Sequence, residues 1–244
     1  YTAHCSSSGW ADPSFLISDI ANLTNAGKYC LMVGNCCLSC KFDVSSFAEE
    51  QLRAANKGSV GYIGGSNNTY WNEDFWWGCG YKTVVLHPAY DPAHIGAYDG
   101  TFHDHGETVS DWFISQGQMT VCGNFAVEES TSGLKTYYWE IYHLMGDPSL
   151  MIYYSVPPVL TATYANPLMI GMTSLAVATE PYAYIALSIN GTLLDARLAD
   201  ATGAATLNFV ALNTPGMADI VITKQNRQPL ISTIQVIPAS GPYV

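Results

Sequence analysis

The stretch VGNCCLSC, residues 33–40, closes an apolar run, KYCLMVGN (28–35), on a glycine and then packs Cys36, Cys37 and Cys40 into five positions. The run has the length and content of a buried strand. The two adjacent cysteines therefore fall at the carboxyl edge of a strand, where open α/β sheets put their chemistry. Other readings stay open on spacing alone. Cys37 and Cys40 form one CxxC pair, but a structural zinc site usually asks for a second pair, and none stands at knuckle spacing. A redox pair would open a helix directly after the strand. Free cysteine is also among the most buried residue types, so all of them fit simple core packing.

Working outward, Asp12-Pro13 reads as a helix start, with Leu16, Ile20 and Leu23 on one face of a helix over 13–27 and Gly27 as its stop. Ser46 and Glu49 have the spacing of a capping box before a helix that Gly58 ends. SVGYIGG (59–65) is a second buried strand. TYYWEIYHLMGDPS (136–149) places Tyr138, Ile141, Tyr142 and Met145 on one helical face, closed by Gly146. Alternating strands and helices predict an α/β layer built on a parallel sheet. After YYSVPPV (153–159) the pattern changes to about seven short β-rich runs separated by turns such as Asn190-Gly191 and Thr202-Gly203. That is the pattern of an immunoglobulin-like β-sandwich, without its paired cysteines. The expected domains are 1–155 and 156–244.

The 244 residues carry 9 Lys/Arg and 20 Asp/Glu, a net charge of −11. Residues 1–155 hold 6 basic and 16 acidic side chains, and residues 156–244 hold 3 and 4. No basic footprint for nucleic acid exists. The acidic first domain suits cationic ligands as well as plain solubility. No apolar run reaches the ~20 residues of a membrane span. All seven cysteines (5, 30, 36, 37, 40, 79 and 122) lie in the first domain, an odd number that leaves at least one thiol unpaired within the chain.

A nucleophilic thiol needs a base. His4, in YTAHCSSSGWADPSF (1–15), follows a short β-like start. With one crossover helix between the strands, a right-handed β-α-β unit would bring His4 and Cys37 to the same sheet edge. Spacing takes the dyad no further.

Four long segments, YTAHCSSSGWADPSF, LTNAGKYCLMVGNCC, GYIGGSNNTYWNEDFWWGCG and YYWEIYHLMGDPSL, together resemble the gingipain family of bacterial cysteine peptidases, above all its lysine-specific branch. The resemblance runs through the sandwich region. It implies a caspase-like catalytic domain whose N-terminal part is missing from this chain, followed by an immunoglobulin-like domain. It also implies His4 as general acid/base, Cys37 as nucleophile, and the backbone N–H groups of Cys5 and Cys37 as oxyanion hole. Cys36 and Cys40 are then packing residues. Cys5 stands where the family has glycine, so its role survives only if the backbone does not require positive φ, and its thiol, expected near Cys37, is a candidate for a regulatory disulfide there. The acidic partner of the histidine is expected upstream, in a separate fragment of the same precursor.

By the same resemblance, Asp74 meets the substrate ammonium and Trp71 lines the pocket, with Asn35 and Thr2 beside them. A desolvated carboxylate rewards a cation and an aromatic wall holds an aliphatic stem. Asn72 replaces the family's glycine there, and YWNEDFWW also fits an aromatic packing segment. The expectation is a secreted or cell-surface bacterial endopeptidase that cuts protein and peptide substrates after Lys through a Cys37 thioester. The competing readings are a degenerate homologue serving as an adhesion or scaffold module and a sortase-like transpeptidase. No cofactor is expected for the chemistry. Structural calcium is implied by the resemblance, but no D-x-D-x-D-G loop is present. FHDHGE, with His103, Asp104, His105 and Glu107, reads as either a metal cluster or a solvated polar turn.

Overall fold

The computed structural model describes residues 1–102, 104–107, 115–153 and 156–239. The chain forms two compact units, Tyr1–Ile152 and Tyr153–Val244. The boundary expected at 155/156 touches residues outside those described.

In the first unit, a small antiparallel sheet of β1 (Cys5–Ser6), β2 (Gly9–Ala11) and β3 (Ser14–Leu16) is followed by a one-turn α1 (Ile17–Ile20). Then come β4 (Cys30–Gly34), α2 (Phe47–Arg53), β5 (Ser59–Gly65), α3 (Trp71–Cys79), α4 (Asp99–Phe102), α5 (Gln116–Glu129), α6 (Lys135–Ile141) and β6 (Tyr142–Gly146). β4 and β5 run parallel, and β6 joins β5 antiparallel. Tyr1 and Thr2 extend this sheet beyond β4: the Tyr1 amino nitrogen donates to Val33 O at 2.9 Å, Asn35 N donates to Tyr1 O at 2.9 Å, and Thr2 pairs with Asn35 in parallel. The chain segment of His4 thus lies next to the cysteine strand.

Four local expectations are corrected. The helix over 13–27 is confined to Ile17–Ile20, and Asp12-Pro13 sits in the β2–β3 hairpin. Trp10 and Phe15 pair across that hairpin and pack on Phe47 with centroids 5.2–5.7 Å apart, burial that the strand pair supplies. Asn25 then clamps Gly58, accepting from its N–H at 3.0 Å and donating to its carbonyl at 2.7 Å, which draws the segment off any helical path. Ser46 caps α2 without a side-chain hydrogen bond, so the capping box is not formed. Finally, the helix expected through Met145 stops at Ile141, and the sheet is mixed, not wholly parallel. Residues 61–65 of β5 are all buried, and their backbone groups on the far edge need partners. Tyr142–Gly146 supplies them by turning into a strand, with Ile63 opposite Leu144. Gly34 is required by a close approach: a Cβ there would land on the Tyr62 hydroxyl, which accepts from Trp10 Nε1 at 2.9 Å.

The second unit contains β7 (Thr163–Tyr164), β8 (Leu168–Met169), β9 (Ser174–Ala178), β10 (Tyr184–Ile189), β11 (Thr192–Leu198), β12 (Ala204–Asn208), β13 (Gly216–Thr223) and β14 (Leu230–Ile237). They form two sheets, β11-β10-β13-β14-β8 and β12-β9-β7. Alternate residues of both sheets, such as Leu175 and Val177 of β9 and Ile185 and Leu187 of β10, enter one core. Asn190 and Gly191, with φ of 51° and 77°, make the tight turn between β10 and β11.

Candidate active site

Cys37 follows β4, where the chain leaves the sheet edge. Its half-buried sulfur accepts the Thr69 N–H at 3.3 Å and lies 3.7 Å from Thr69 Oγ1. Its own backbone N–H donates to no acceptor among the described residues. His4 is exposed, with its ring stacked on Trp71 at a centroid distance of 6.1 Å. The imidazole has no hydrogen-bond partner among the described residues. A cavity of about 240 Å³ is walled by Ala3, His4, Cys37, Thr69, Tyr70, Trp71 and Asp74. The two residues expected to form a dyad therefore face one space.

Cys5 is not a free thiol. It forms a disulfide with Cys36, with Cα atoms 5.7 Å apart. This corrects the reading of Cys36 as a packing residue, while Cys40 is buried and free as expected. The non-glycine residues with positive φ among those described are Leu38, Asn56, Tyr182, Asn190 and Asn226. Cys5 is not one of them, so replacing glycine there costs no left-handed backbone.

Asp74 lies in the first turn of α3, 5% exposed. Burial is the main force that pushes its carboxyl up to about 6, and Glu73 adds to it. Hydrogen bonds oppose the shift. Thr69 Oγ1 donates at 2.6 Å to one oxygen, and Tyr138 and Tyr142 hydroxyls donate at 2.9 and 3.0 Å to the other. Tyr142 also faces Asn35 Oδ1, so its single hydrogen serves one acceptor at a time. Asn35 Nδ2 in turn donates to Asp74 O at 2.7 Å. Thr69 is thus a junction: its N–H reaches Cys37 and its hydroxyl reaches Asp74.

A second cavity, about 490 Å³, shares Trp71 and Asp74 with the first. Thr2, Asn35, Trp71 and Asp74 line it together with an apolar wall of Phe75, Val84, Val85, Leu86 and Pro88. Every residue expected to bind substrate is therefore at this pocket. Thr69, Tyr138, Tyr142 and the Val84–Pro88 wall were not foreseen. Tyr138 and Tyr142 carried only a core-packing signal, and Thr69 carried none.

Asp104, His105 and Glu107 bring one ligand atom each within 4.8 Å of one another at the surface, while His103 lies outside the described residues. His105 Nδ1 meets both carboxylates at 3.2 Å, and its ring stacks on Tyr90. A set with an imidazole already engaged does not fit calcium, which takes six to eight oxygens. No helix among the described residues is long and apolar enough to cross a membrane.

Residues 1–153 match the model of peptidase family C25. The chain is 36% identical over 239 residues to Lys-gingipain of Porphyromonas gingivalis, covering 96% of this chain and 14% of that protein. A solved structure of a protease superposes with a TM-score of 0.83 at 34% identity, over 97% of this chain and 53% of the other. The Arg-specific cysteine proteinase gingipain R superposes with a TM-score of 0.78 at 20% identity, over 97% and 52%. The chain spans about one seventh of the length of the curated relative and about half of the solved ones.

Proposed function

The chain belongs to peptidase family C25, and from that premise we propose that it carries the nucleophile and the specificity pocket of a secreted cysteine endopeptidase that cuts after lysine. The observation that carries this reading is Asp74, a buried carboxylate in the wall of both cavities, the one with Cys37 and the one with the apolar pocket. A Lys side chain in that pocket would lay its stem along Trp71 and bring its ammonium to Asp74, while its carbonyl carbon faces Cys37.

In the proposed reaction Cys37 Sγ attacks that carbon. His4 takes the thiol proton and hands it to the departing amine, and water then cleaves the thioester. The N–H groups of Cys37 and Cys5 face the developing oxyanion. The orienting carboxylate for His4 is supplied by a segment upstream of residue 1. That proposal rests on the imidazole lacking a partner among the described residues and on the extra length of the related chains. A pro-segment is a further proposed partner, by likeness to the relative solved as a complex of pro- and mature domains. Secretion is supported by the Cys5–Cys36 disulfide, a bond that persists in oxidising compartments. The two-sheet unit, with its tight Asn190-Gly191 turn, supports reading Tyr153–Val244 as an immunoglobulin-like domain.

A lysyl chloromethylketone applied to the full-length protein is the test. Labelling of Cys37 alone, abolished by Cys37→Ala and blocked by lysine peptides, is expected. Equal labelling by a norleucyl analogue would overturn lysine specificity, and hydrolysis that survives Cys37→Ala would overturn the nucleophile.

A further inference from the structure

We infer that the Cys5–Cys36 disulfide is a covalent clamp that positions the dyad, so that Cys5 and Cys36 are positioning residues for His4 and Cys37. This rests on the proposed roles of those two residues. The half-cystines flank them in sequence: Cys5 directly follows His4, and Cys36 directly precedes Cys37. Backbone pairing between the two segments covers only Tyr1 and Thr2 against Val33 and Asn35. It ends one residue short of Ala3 and Cys36. From there the segments part, the first turning into β1 and the second bending back, with Cys36 N donating to Gly34 O at 2.8 Å. The disulfide stands one residue beyond the last backbone pair on the Cys36 side and three beyond it on the Cys5 side, and joins segments 31 positions apart in sequence.

The clamp also touches the reacting residue. Cys5 Sγ lies 3.1 Å from the Cys37 carbonyl oxygen, so the bridge packs against the nucleophile's own peptide. Cys36 is fully buried, and the bridge is therefore anchored on its inner side. The His4 ring is exposed and meets only Trp71 among the described residues, while its carbonyl accepts from the Ala11 N–H at 3.0 Å and the Tyr1 hydroxyl at 2.8 Å, so its backbone is the main determinant of its position and the disulfide adds to those two bonds. A displacement of about 1 Å between base and nucleophile costs on the order of a hundredfold in rate.

Two opposed demands on reductant follow. Cys37 works as a thiol, while Cys5 and Cys36 work as a disulfide. Opening the bridge takes two electrons from an added phosphine, with water giving its oxygen to the phosphine oxide and its two protons to the two thiols. Turnover should therefore rise with mild reductant and fall when the clamp opens.

The experiment uses the full-length protein. Peptide mapping without reduction is expected to join Cys5 to Cys36 and to find Cys37 alkylatable. Cys5→Ser, Cys36→Ser and the double variant are expected to lower kcat by about tenfold to a hundredfold per labelled Cys37, with KM for a lysine peptide within about twofold, and the double variant no worse than either single. Since serine at a buried site can impair folding, graded phosphine on the unaltered protein is the companion measurement. Loss of kcat should track the appearance of alkylatable Cys5 and Cys36, and should reverse on reoxidation. Free Cys5 and Cys36 in the native map, unchanged kcat in the variants, or losses that add in the double variant would overturn the clamp. If the protein proves not to be a peptidase, the map and the rate of Cys37 alkylation, expected to drop in Cys5→Ser, still decide it.

Discussion

At neutral pH an ionised Asp74 sits almost out of reach of water, and this has two measurable sides. Its carboxyl titrates near 6 when folded against 3.8 when free. Between those values the native chain binds more protons than the unfolded one, so stability falls as pH rises through roughly 4 to 6. Above that window the cost is complete, on the order of 3 kcal/mol. Asp74→Asn should therefore raise Tm at pH 7 and leave it unchanged near pH 3.5, checked by thermal melts at both. The same substitution should lower kcat/KM for a lysine peptide by roughly 30- to 5,000-fold, the loss of one side of a desolvated pair, while sparing a norleucine peptide. In the unaltered protein only the lysine peptide should show an acid limb near pH 6 in kcat/KM. A more stable variant that discriminates poorly separates a pocket carboxylate from a scaffold one. Among the cysteines, burial pushes the Cys40 thiol up and the Cys122 thiol up to about 12. Iodoacetamide at pH 7 should accordingly modify Cys37 well before either, as mass spectrometry would record. That Cys37, His4 and Asp74 would line one space was legible in the sequence because long motifs surround them. Thr69 was not, because its role depends on a backbone N–H and a hydroxyl pointing in two directions, and no pattern of residue types encodes that.

At the scale of elements, the pocket depends on how α3 is held. Trp77 of α3 is fully buried, donates Nε1–H to Asn124 Oδ1 at 3.0 Å, and lies over Gly123 of α5. A Cβ at Gly123 would fall within the Trp77 ring system, so α3 can approach α5 only across a glycine. Gly123→Ala should destabilise the first unit by about 1–3 kcal/mol, the ordinary cost of overpacking. Because Trp71 and Asp74 ride on the same helix, it should also narrow the lysine-to-norleucine ratio. Denaturant melts and the two kcat/KM values test both. The neighbouring strand shows where sequence reading stops. Tyr138, Ile141, Tyr142 and Met145 satisfy a helical period, yet the chain switches to β6 after Ile141. A period records which side chains are apolar. It does not record that β5 has an unpaired edge waiting for backbone partners. β4 and β5 themselves were legible as uninterrupted buried runs, whereas the 13–27 helix failed because a hairpin and the Asn25 clamp on Gly58 outweigh a cap-like Asp-Pro pair.

Over the whole molecule, the division of labour was visible early. Every cysteine and most of the charge fall before residue 156, and the second unit announces itself by short strands and turns. Only Leu168–Met169, two residues long and paired in parallel with β14, escaped that reading. All candidate site residues lie in Tyr1–Ile152, while Ile220 is fully buried in the core of the second unit. Ile220→Ala should thus destabilise that unit by about 2–5 kcal/mol while leaving kcat/KM for short peptides unchanged at 25 °C. Calorimetry and a peptide assay on one preparation check this. Asp74 has one more consequence, read from the solvent's side. Below pH 6 most molecules hold a proton on that carboxyl, and under the proposed specificity an arriving lysine side chain would have to expel it. Binding is then an exchange of one cation for another, and the heat it releases will vary with the ionisation enthalpy of the buffer that collects the proton. Under that specificity the acidity of the surroundings would tune the uptake of lysine with no change in the residues that line the pocket.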